Sequence, residues 1–209
     1  MTLGTLKIQC LKLLFANGNE NITEANLATY MDDDHYRDYL ILMPDSINRA
    51  LADLESRCCL PTKRVALTGG TGTPPNFDLT GITDFFEIER VTALCGNEYY
   101  GSVPFAKEGG TLIILDDKTE DPTEADYTFL YWPTVQRILS TAVNSDTIDL
   151  PERFCEALPY FVKSELFREE EPAEADKARQ LWETATQRAT QNDHYTATGV
   201  ARTLPFDRM

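Results

Sequence analysis

Residues 150–189 read LPERFCEALPYFVKSELFREEEPAEADKARQLWETATQRA, and this stretch decides the fold. It spells two helices joined by an acidic elbow, Glu169-Glu170-Glu171. A proline opens each helix, Pro151 and Pro172, at a first helical position where the missing N–H costs no hydrogen bond. Glu152 and Glu174 follow in the first turns, where the helix dipole favours negative charge. Phe154, Leu158, Phe161 and Val162 share one face of the first helix. Ala175, Ala178, Trp182, Ala185 and Ala189 share one face of the second, at alternating steps of three and four. Small side chains let that face approach a neighbour closely, and Trp182 is its single large anchor. The stretch holds no reactive constellation. It is built to pack, which points to assembly rather than chemistry.

Outward from this stretch, the N-terminal part repeats the helical pattern. Residues 2–16 place Leu3, Leu6, Cys10, Leu13 and Leu14 on one face, and Asn17-Gly18-Asn19 stops the helix with residues that tolerate a left-handed end. Residues 22–30 form a short turn or helix, with Thr23 as its cap. A clearer helix covers 38–58, where Tyr36, Leu40, Met43, Ile47, Ala50 and Leu54 form a narrow seam. Pro44 inside it marks a kink or the first turn of the main helix. Asp53, Glu55 and Arg57 fall mostly on the wet side.

Between 62 and 133 the period changes from 3.6 to 2. Short β-branched and aromatic runs alternate with turn residues, giving expected strands at 63–67, 76–79, 85–94, 101–105, 111–115 and 127–132. The last is aromatic on both faces and so belongs in the centre of a sheet. A compact antiparallel sheet or small sandwich fits these lengths. The expected fold is therefore α+β. Residues 1–61 and 134–189 form one helical bundle from both chain ends, 62–133 form an inserted antiparallel β domain, and 190–209 form an extended C-terminal arm. The arm lacks a helical face but carries spaced anchors, Tyr195, Arg202, Leu204, Phe206 and Arg208. Tyrosine and arginine are enriched at binding hot spots, and Pro205 holds Leu204 extended. These five are the candidate partner-binding residues.

Composition bounds the functional classes. The chain has 209 residues, 42% of them hydrophobic, enough for a real core. No apolar run approaches the ~20 residues that cross a bilayer, so no membrane association is expected. The N-terminus is too polar for a signal peptide, which implies a cytoplasm-like compartment. Five cysteines, Cys10, Cys58, Cys59, Cys95 and Cys155, have no framework spacing and read as reduced thiols. The net charge of −15 opposes a phosphate backbone. It fits simple solubility, and it equally fits a surface that nucleic acid must pass without sticking.

Several motifs resemble active sites without their context. Tyr30-Met31-Asp32-Asp33 spells the metal-binding turn of reverse transcriptases, but only helical sequence precedes it where a strand with a further carboxylate is required. Residues 68–73, TGGTGT, resemble a phosphate cradle but lack the Lys-Ser/Thr ending, and Pro74-Pro75 prevents a following helix. They read as a hairpin tip. The acidic loop 116–126 fails the EF-hand pattern, having Tyr127 where the bidentate glutamate belongs. His35 and His194 lie in polar surroundings far apart. No catalytic residue, metal site or cofactor is expected.

The order of elements carries a resemblance. A helical start leads to YLILMPDSINRALADL at 39–54, then to a β insert ending in YTFLYWP at 127–133, then to IDLPERFCEALPYFVKSEL at 148–166, an acidic elbow and a last helix. Over most of 2–189 this layout resembles the head-to-tail adaptor proteins of tailed bacteriophages, also called connector, head-completion or tail-tube gatekeeper proteins. The resemblance implies a structural protein of the virion neck, assembled in the host cytoplasm. It implies a ring of identical subunits, usually twelve, docked under the portal protein. Such a ring extends the channel for double-stranded DNA and offers a surface to a tail or nozzle protein. Its C-terminal extension commonly reaches into the portal; the anchors of 190–209 are expected to dock this arm on the portal or on a neighbouring subunit. Two other classes remain open at this point: a tail-terminator or other tail-attachment ring, and a small hydrolase or metal-dependent enzyme of unknown substrate.

Overall fold

The double change of hydrophobic period, from 3.6 to 2 and back, has a direct counterpart in the structure. In this computed structural model the described residues are 1–15, 21–68, 70–72, 74–96, 98–115 and 125–201, with side chains as far as 191. Helix α1 covers Leu3–Leu14, a 3-10 turn covers Leu27–Met31, and α2 covers Asp34–Ser56. Seven strands follow: β1 (Lys63–Leu67), β2 (Asn76–Asp78), β3 (Phe85–Cys95), β4 (Glu98–Tyr100), β5 (Phe105–Glu108), β6 (Thr111–Ile114) and β7 (Asp126–Pro133). Helices α3 (Glu152–Cys155), α4 (Leu158–Leu166) and α5 (Pro172–Ala201) complete the chain. The fold class is α+β. Two compact units result, Met1–Cys59 with Val135–Met209, and Leu60–Thr134.

In the helical unit, α1, α2 and α5 all pack on α4. The expected face of Phe154, Leu158, Phe161 and Val162 is buried. It belongs to two helices rather than one. Pro159 near the start of α4 has no N–H for the carbonyl four residues back, so the run breaks at Glu156–Ala157. Pro151 is correspondingly the N-cap of α3, while Pro172 opens α5 as expected. On α5 the buried positions are Ala175, Ala178, Trp182, Thr186 and Ala189. Ala185 is only half-buried. Thr186 takes its place by bonding its hydroxyl to the Trp182 carbonyl at 2.9 Å. Trp182 is 0% exposed and meets Phe161 edge-on with ring centroids 5.2 Å apart. Its indole N–H donates to Asp53 Oδ2 at 2.9 Å.

Four further expectations need correction in this unit. Helix α2 begins at Asp34, capped by Asp33, whose carboxylate accepts the His35 N–H at 2.9 Å. Pro44 therefore lies well inside the helix, not in its first turn. Thr23 caps nothing. Instead its N–H and hydroxyl donate to the Asn26 side chain, which closes the turn before Leu27. Asp53 and Glu55 are not wet, since their side chains are 18% and 15% exposed and both accept hydrogen bonds. Helix α5 runs to Ala201, past the expected stop at Ala189. Extending an existing helix fixes one residue per hydrogen bond gained, so a polar stretch without a strong breaker continues it.

The β unit holds two antiparallel sheets, in the orders β1-β7-β3-β4 and β2-β6-β5. The aromatic strand β7 is central, between β1 and β3. Tyr127, Phe129 and Tyr131 alternate along it into one core with Val91 and Ala93 of β3, Phe77 of β2, and Leu112 and Ile114 of β6. The expected strand at 101–105 is absent. Pro104 cannot donate to a ladder, and pairing occurs on either side of this segment, in β4 and β5. At the base of this unit the Asp84 carboxylate takes an ion pair from Lys63 and a hydrogen bond from the Tyr131 hydroxyl at 2.8 Å.

Helix α2 ends in a Schellman motif. Cys59 N–H bonds Leu54 O at 3.1 Å and Cys58 N–H bonds Glu55 O at 2.9 Å. Cys58 occupies the left-handed position, with φ 51°. All five cysteines are free thiols, Cys10 and Cys155 buried and the others half-buried.

Two measurements check this packing. Trp182→Ala should lower unfolding stability by about 3–5 kcal/mol. Trp182→Phe keeps an aromatic ring but loses the bond to Asp53 and the second ring of the indole, and should cost less than Trp182→Ala, about 1–3 kcal/mol. Equal urea midpoints for Trp182→Ala and the parent would show that α5 is not anchored there. In the β unit, the Lys63 bond first, then Tyr131, holds the Asp84 carboxyl below its ordinary range. A depressed carboxylate stabilises above its unfolded pKa of about 3.9, and that stabilisation is lost as pH falls through the lower folded value. Asp84→Asn should therefore flatten the acid limb of the stability curve below about pH 4. An unaltered limb in thermal melts would refute the role.

Candidate functional site

Among the described residues no group of metal-ligating side chains converges. What the helical unit organises with unusual precision is the segment that returns from β7 to α3, residues 134–150. Helix α2 carries the first part of it by side-chain bonds to backbone. The Glu55 carboxylate accepts Val135 N–H at 2.8 Å and the Arg137 guanidinium at 3.2 Å. Two turns earlier, the Asn48 amide clasps Ile138 from both sides. It accepts the Ile138 N–H at 2.7 Å and donates to the Ile138 carbonyl at 3.0 Å. Asparagine is a poor helix former because its amide competes for backbone groups. Here it serves a neighbouring segment instead of its own helix.

The second part of the segment caps α1. The first N–H groups of a helix have no intrahelical acceptor. Leu3 N–H finds the Asp146 carbonyl and Gly4 N–H the Asn144 carbonyl, each at 2.8 Å. Ile148 N–H bonds back to the Met1 carbonyl at 2.9 Å. A Cβ at Gly4 would lie 3.1 Å from Asn144, so any larger residue there would push the segment by a few tenths of an ångström. Thr2 and Thr5 donate to Glu24 at 2.6 and 2.8 Å, and these bonds hold its carboxyl below the ordinary range.

Bent in this way, the segment encloses a concavity of about 140 Å³. Leu3, Ile138 and Ile148 line its apolar part, and Asp146 and Asp149 contribute carboxylates. Leu139, 65% exposed, also lines it, and Val143, 57% exposed, lies one residue beyond the lining Ala142. A second exposed pair, Ile41 and Leu42, lies on α2. Ile41 occupies the same helical stripe as Asn48 and Glu55, seven residues earlier, where the return segment no longer covers it.

The tempting motifs are placed as follows. Tyr30-Met31-Asp32-Asp33 is the end of the 3-10 turn and the N-cap of α2. In the TGGTGT run, of which Gly69 and Thr73 lie outside the described residues, Thr71 exchanges backbone bonds with Asn76 at 3.0 and 2.9 Å, and the next element is strand β2. His35 packs at a tilt against Phe15, with ring centroids 4.7 Å apart and 50° between the planes. Among the described residues no group of three or more His, Cys, Asp or Glu side chains is arranged to hold a metal ion, and no helix is long and apolar enough to cross a membrane. Most of the acidic loop, 116–124, lies outside the described residues. So do Arg202, Leu204, Phe206 and Arg208, and Tyr195 is described only as backbone of α5.

A protein-family model, that of the SU10 adaptor protein, matches residues 1–203. The chain belongs to this family. It is a family of phage head-to-tail adaptors, so the resemblance of layout reflects membership. The match of this adaptor includes α5 to its end and the first two residues beyond it. No curated protein matches the chain.

The return-segment clasp is testable in the isolated adaptor. Asn48→Ala leaves a part-buried N–H and carbonyl unpaired and should cost about 1–3 kcal/mol. Amide exchange at Ile138 should rise with it, while exchange in β7 stays unchanged. Unchanged protection at Ile138 would show that the clasp contributes nothing.

Proposed function

We propose that this phage structural adaptor is the subunit of a ring in the virion neck. The ring docks on the portal protein, extends the DNA channel and presents the surface to which a tail or nozzle protein attaches. The observation that carries the reading is the family match over 1–203. The protein acts as a structural part, not as an enzyme.

Three features support the reading physically. The net charge of −15 disfavours capture of DNA, because binding to a duplex is dominated by neutralising phosphates. The exposed apolar pairs Ile41/Leu42 and Leu139/Val143 occur on different elements of one unit. A head-to-tail contact between identical subunits needs two distinct patches, and such contacts generate rings when the rotation closes. The C-terminal arm, with Tyr195, Arg202, Leu204, Phe206 and Arg208, is the attachment device. It docks on the portal or on a neighbouring copy.

Negative-stain images of the purified chain mixed with portal rings should show stacked, closed rings of usually twelve copies around an open channel. In mobility shifts at physiological salt the ring should leave duplex DNA unshifted. A monomer at every concentration, with no association to portal, would overturn the ring reading. A tight shift of duplex DNA would overturn the conduit.

A further inference from the structure

We propose that the aromatic ridge where α1, α2 and the acidic elbow meet takes an arginine-bearing segment of the tail or nozzle protein. This inference rests on the ring reading and assigns one contact within it.

Six rings run together across this end of the helical unit. Phe15, just past α1, meets His35, Tyr36 and Tyr39 with centroids 4.7, 4.9 and 5.1 Å apart. Tyr30 joins at Tyr36, 5.1 Å away, and Phe167 at Tyr39, 6.2 Å away. Tyr36 and Phe167 are buried and serve the core. Phe15, Tyr30 and Tyr39 are only half-buried, and His35 is exposed.

Carboxylates edge the ridge. Tyr39 donates its hydroxyl to Glu170 Oε2 at 2.7 Å. Burial first, then this bond and the charges of Glu170, Glu171 and Asp38, push the Tyr39 hydroxyl up to about 12, so it remains a donor at neutral pH. Glu169, Glu170, Glu171 and Asp38 are all exposed. Of the two arginines at this end, Arg37 pairs with Asp34 at 2.9 Å, and Arg168 lines a separate hollow with Glu165 and Asp176.

This chemistry selects the partner. Rings edged by carboxylates attract a cation through the ring quadrupole and through charge. A planar guanidinium stacks on a ring while its N–H fork meets a carboxylate, which an ammonium does less well. The helical unit uses the same pairing internally: the Arg179 guanidinium lies over the Phe161 ring at 4.7 Å and 3.4 Å from Asp53. A second copy is the poorer occupant, because it brings a net charge of −15 to an acidic face. Position favours the tail side. The elbow adjoins the start of α5, whose 30 residues carry the chain about 45 Å to the end from which the portal-binding arm departs.

The test uses the full-length chain and a fluorescent Gly/Ser peptide carrying arginines, read by anisotropy at physiological salt. Its lysine counterpart should bind about three- to tenfold more weakly. Glu170→Gln with Glu171→Gln should weaken the arginine peptide by a similar factor, about three- to tenfold. Glu108→Gln with Asp126→Asn, in the β unit, should change nothing. An equal loss in that control, or equal affinity for both peptides, would reduce the binding to diffuse attraction and overturn the inference. Removal of 202–209 should leave the affinity unchanged; a marked rise would make the chain's own arginines the occupant and overturn it. Rings of the Glu170/Glu171 variant should still form and still stack on portal rings, yet lose the tail or nozzle protein in negative stain. Loss of the rings themselves would give the site to a second copy, and loss of portal stacking would give it to the portal; either overturns the inference. Rings that carry the tail protein normally overturn this docking alone, whereas monomers that bind the arginine peptide as expected overturn the ring reading alone.

Discussion

The bond from Val135 N–H to the Glu55 carboxylate fixes the point at which this chain can interrupt one unit with another. The chain leaves the helical unit at Cys59 and re-enters it at Val135. Glu55 lies four residues before the exit, and its 2.8 Å bond holds the re-entry there. An insertion whose ends are close costs little, because loop-closure entropy grows only as about 0.6 kcal/mol for each doubling of length. The cost falls instead on the geometry of the two crossings. The Schellman motif turns the exit sharply, at the expense of a left-handed Cys58. Glu55 and Asn48 then steer the return along α2. Everything downstream follows from that path: the cap on α1, the concavity, and the start of α3.

The parts of this fold that were legible in the sequence are those written in local period. Strand β1 at Lys63–Leu67 and the centrality of the aromatic strand β7 follow from alternation alone, and the buried Ala/Trp stripe of α5 follows from steps of three and four. What stayed hidden is carried by side chains whose partners are distant in sequence. Asp53, Glu55 and Asn48 look like an ordinary polar helix face. Their partners lie 80–129 residues away, at Trp182, Val135 and Ile138. Asn48 gave the one usable signal, as an amide in the middle of a helix that needs a reason to be there. The break before α4 was legible too, in Pro159, but the continuous apolar face masked it. The end of α5 was misread because loss of an apolar face removes packing, not backbone hydrogen bonds.

Ion pairs, local and long-range, temper many of the cations of this acidic chain. Arg49 pairs with Glu165, Arg57 and Arg179 with Asp53, Arg137 with Glu55, Lys63 with Asp84, and Lys163 and Lys177 with Glu174. Exposed pairs of this kind contribute little to stability, typically below about 1 kcal/mol each. Their consequence lies in the surface field. Each of these seven cations sits within 4 Å of a carboxylate, which weakens its potential at the distance where a phosphate would approach.

Cancellation of the cations also decides what can hold copies together. Among the described residues the surface field is dominated by carboxylates, and like charges on identical subunits repel over roughly a Debye length, ~8 Å at physiological salt. Association must then come from apolar side chains and from any segment that departs from the average charge. The first are Ile41, Leu42, Leu139 and Val143, exposed on rigid elements. The second is RTLPFDRM, which follows α5 and carries two arginines against one aspartate. Attraction between a basic tail and an acidic body works only between copies or against the body itself. A chain that repels its own surface elsewhere therefore directs assembly through the few places where repulsion is relieved.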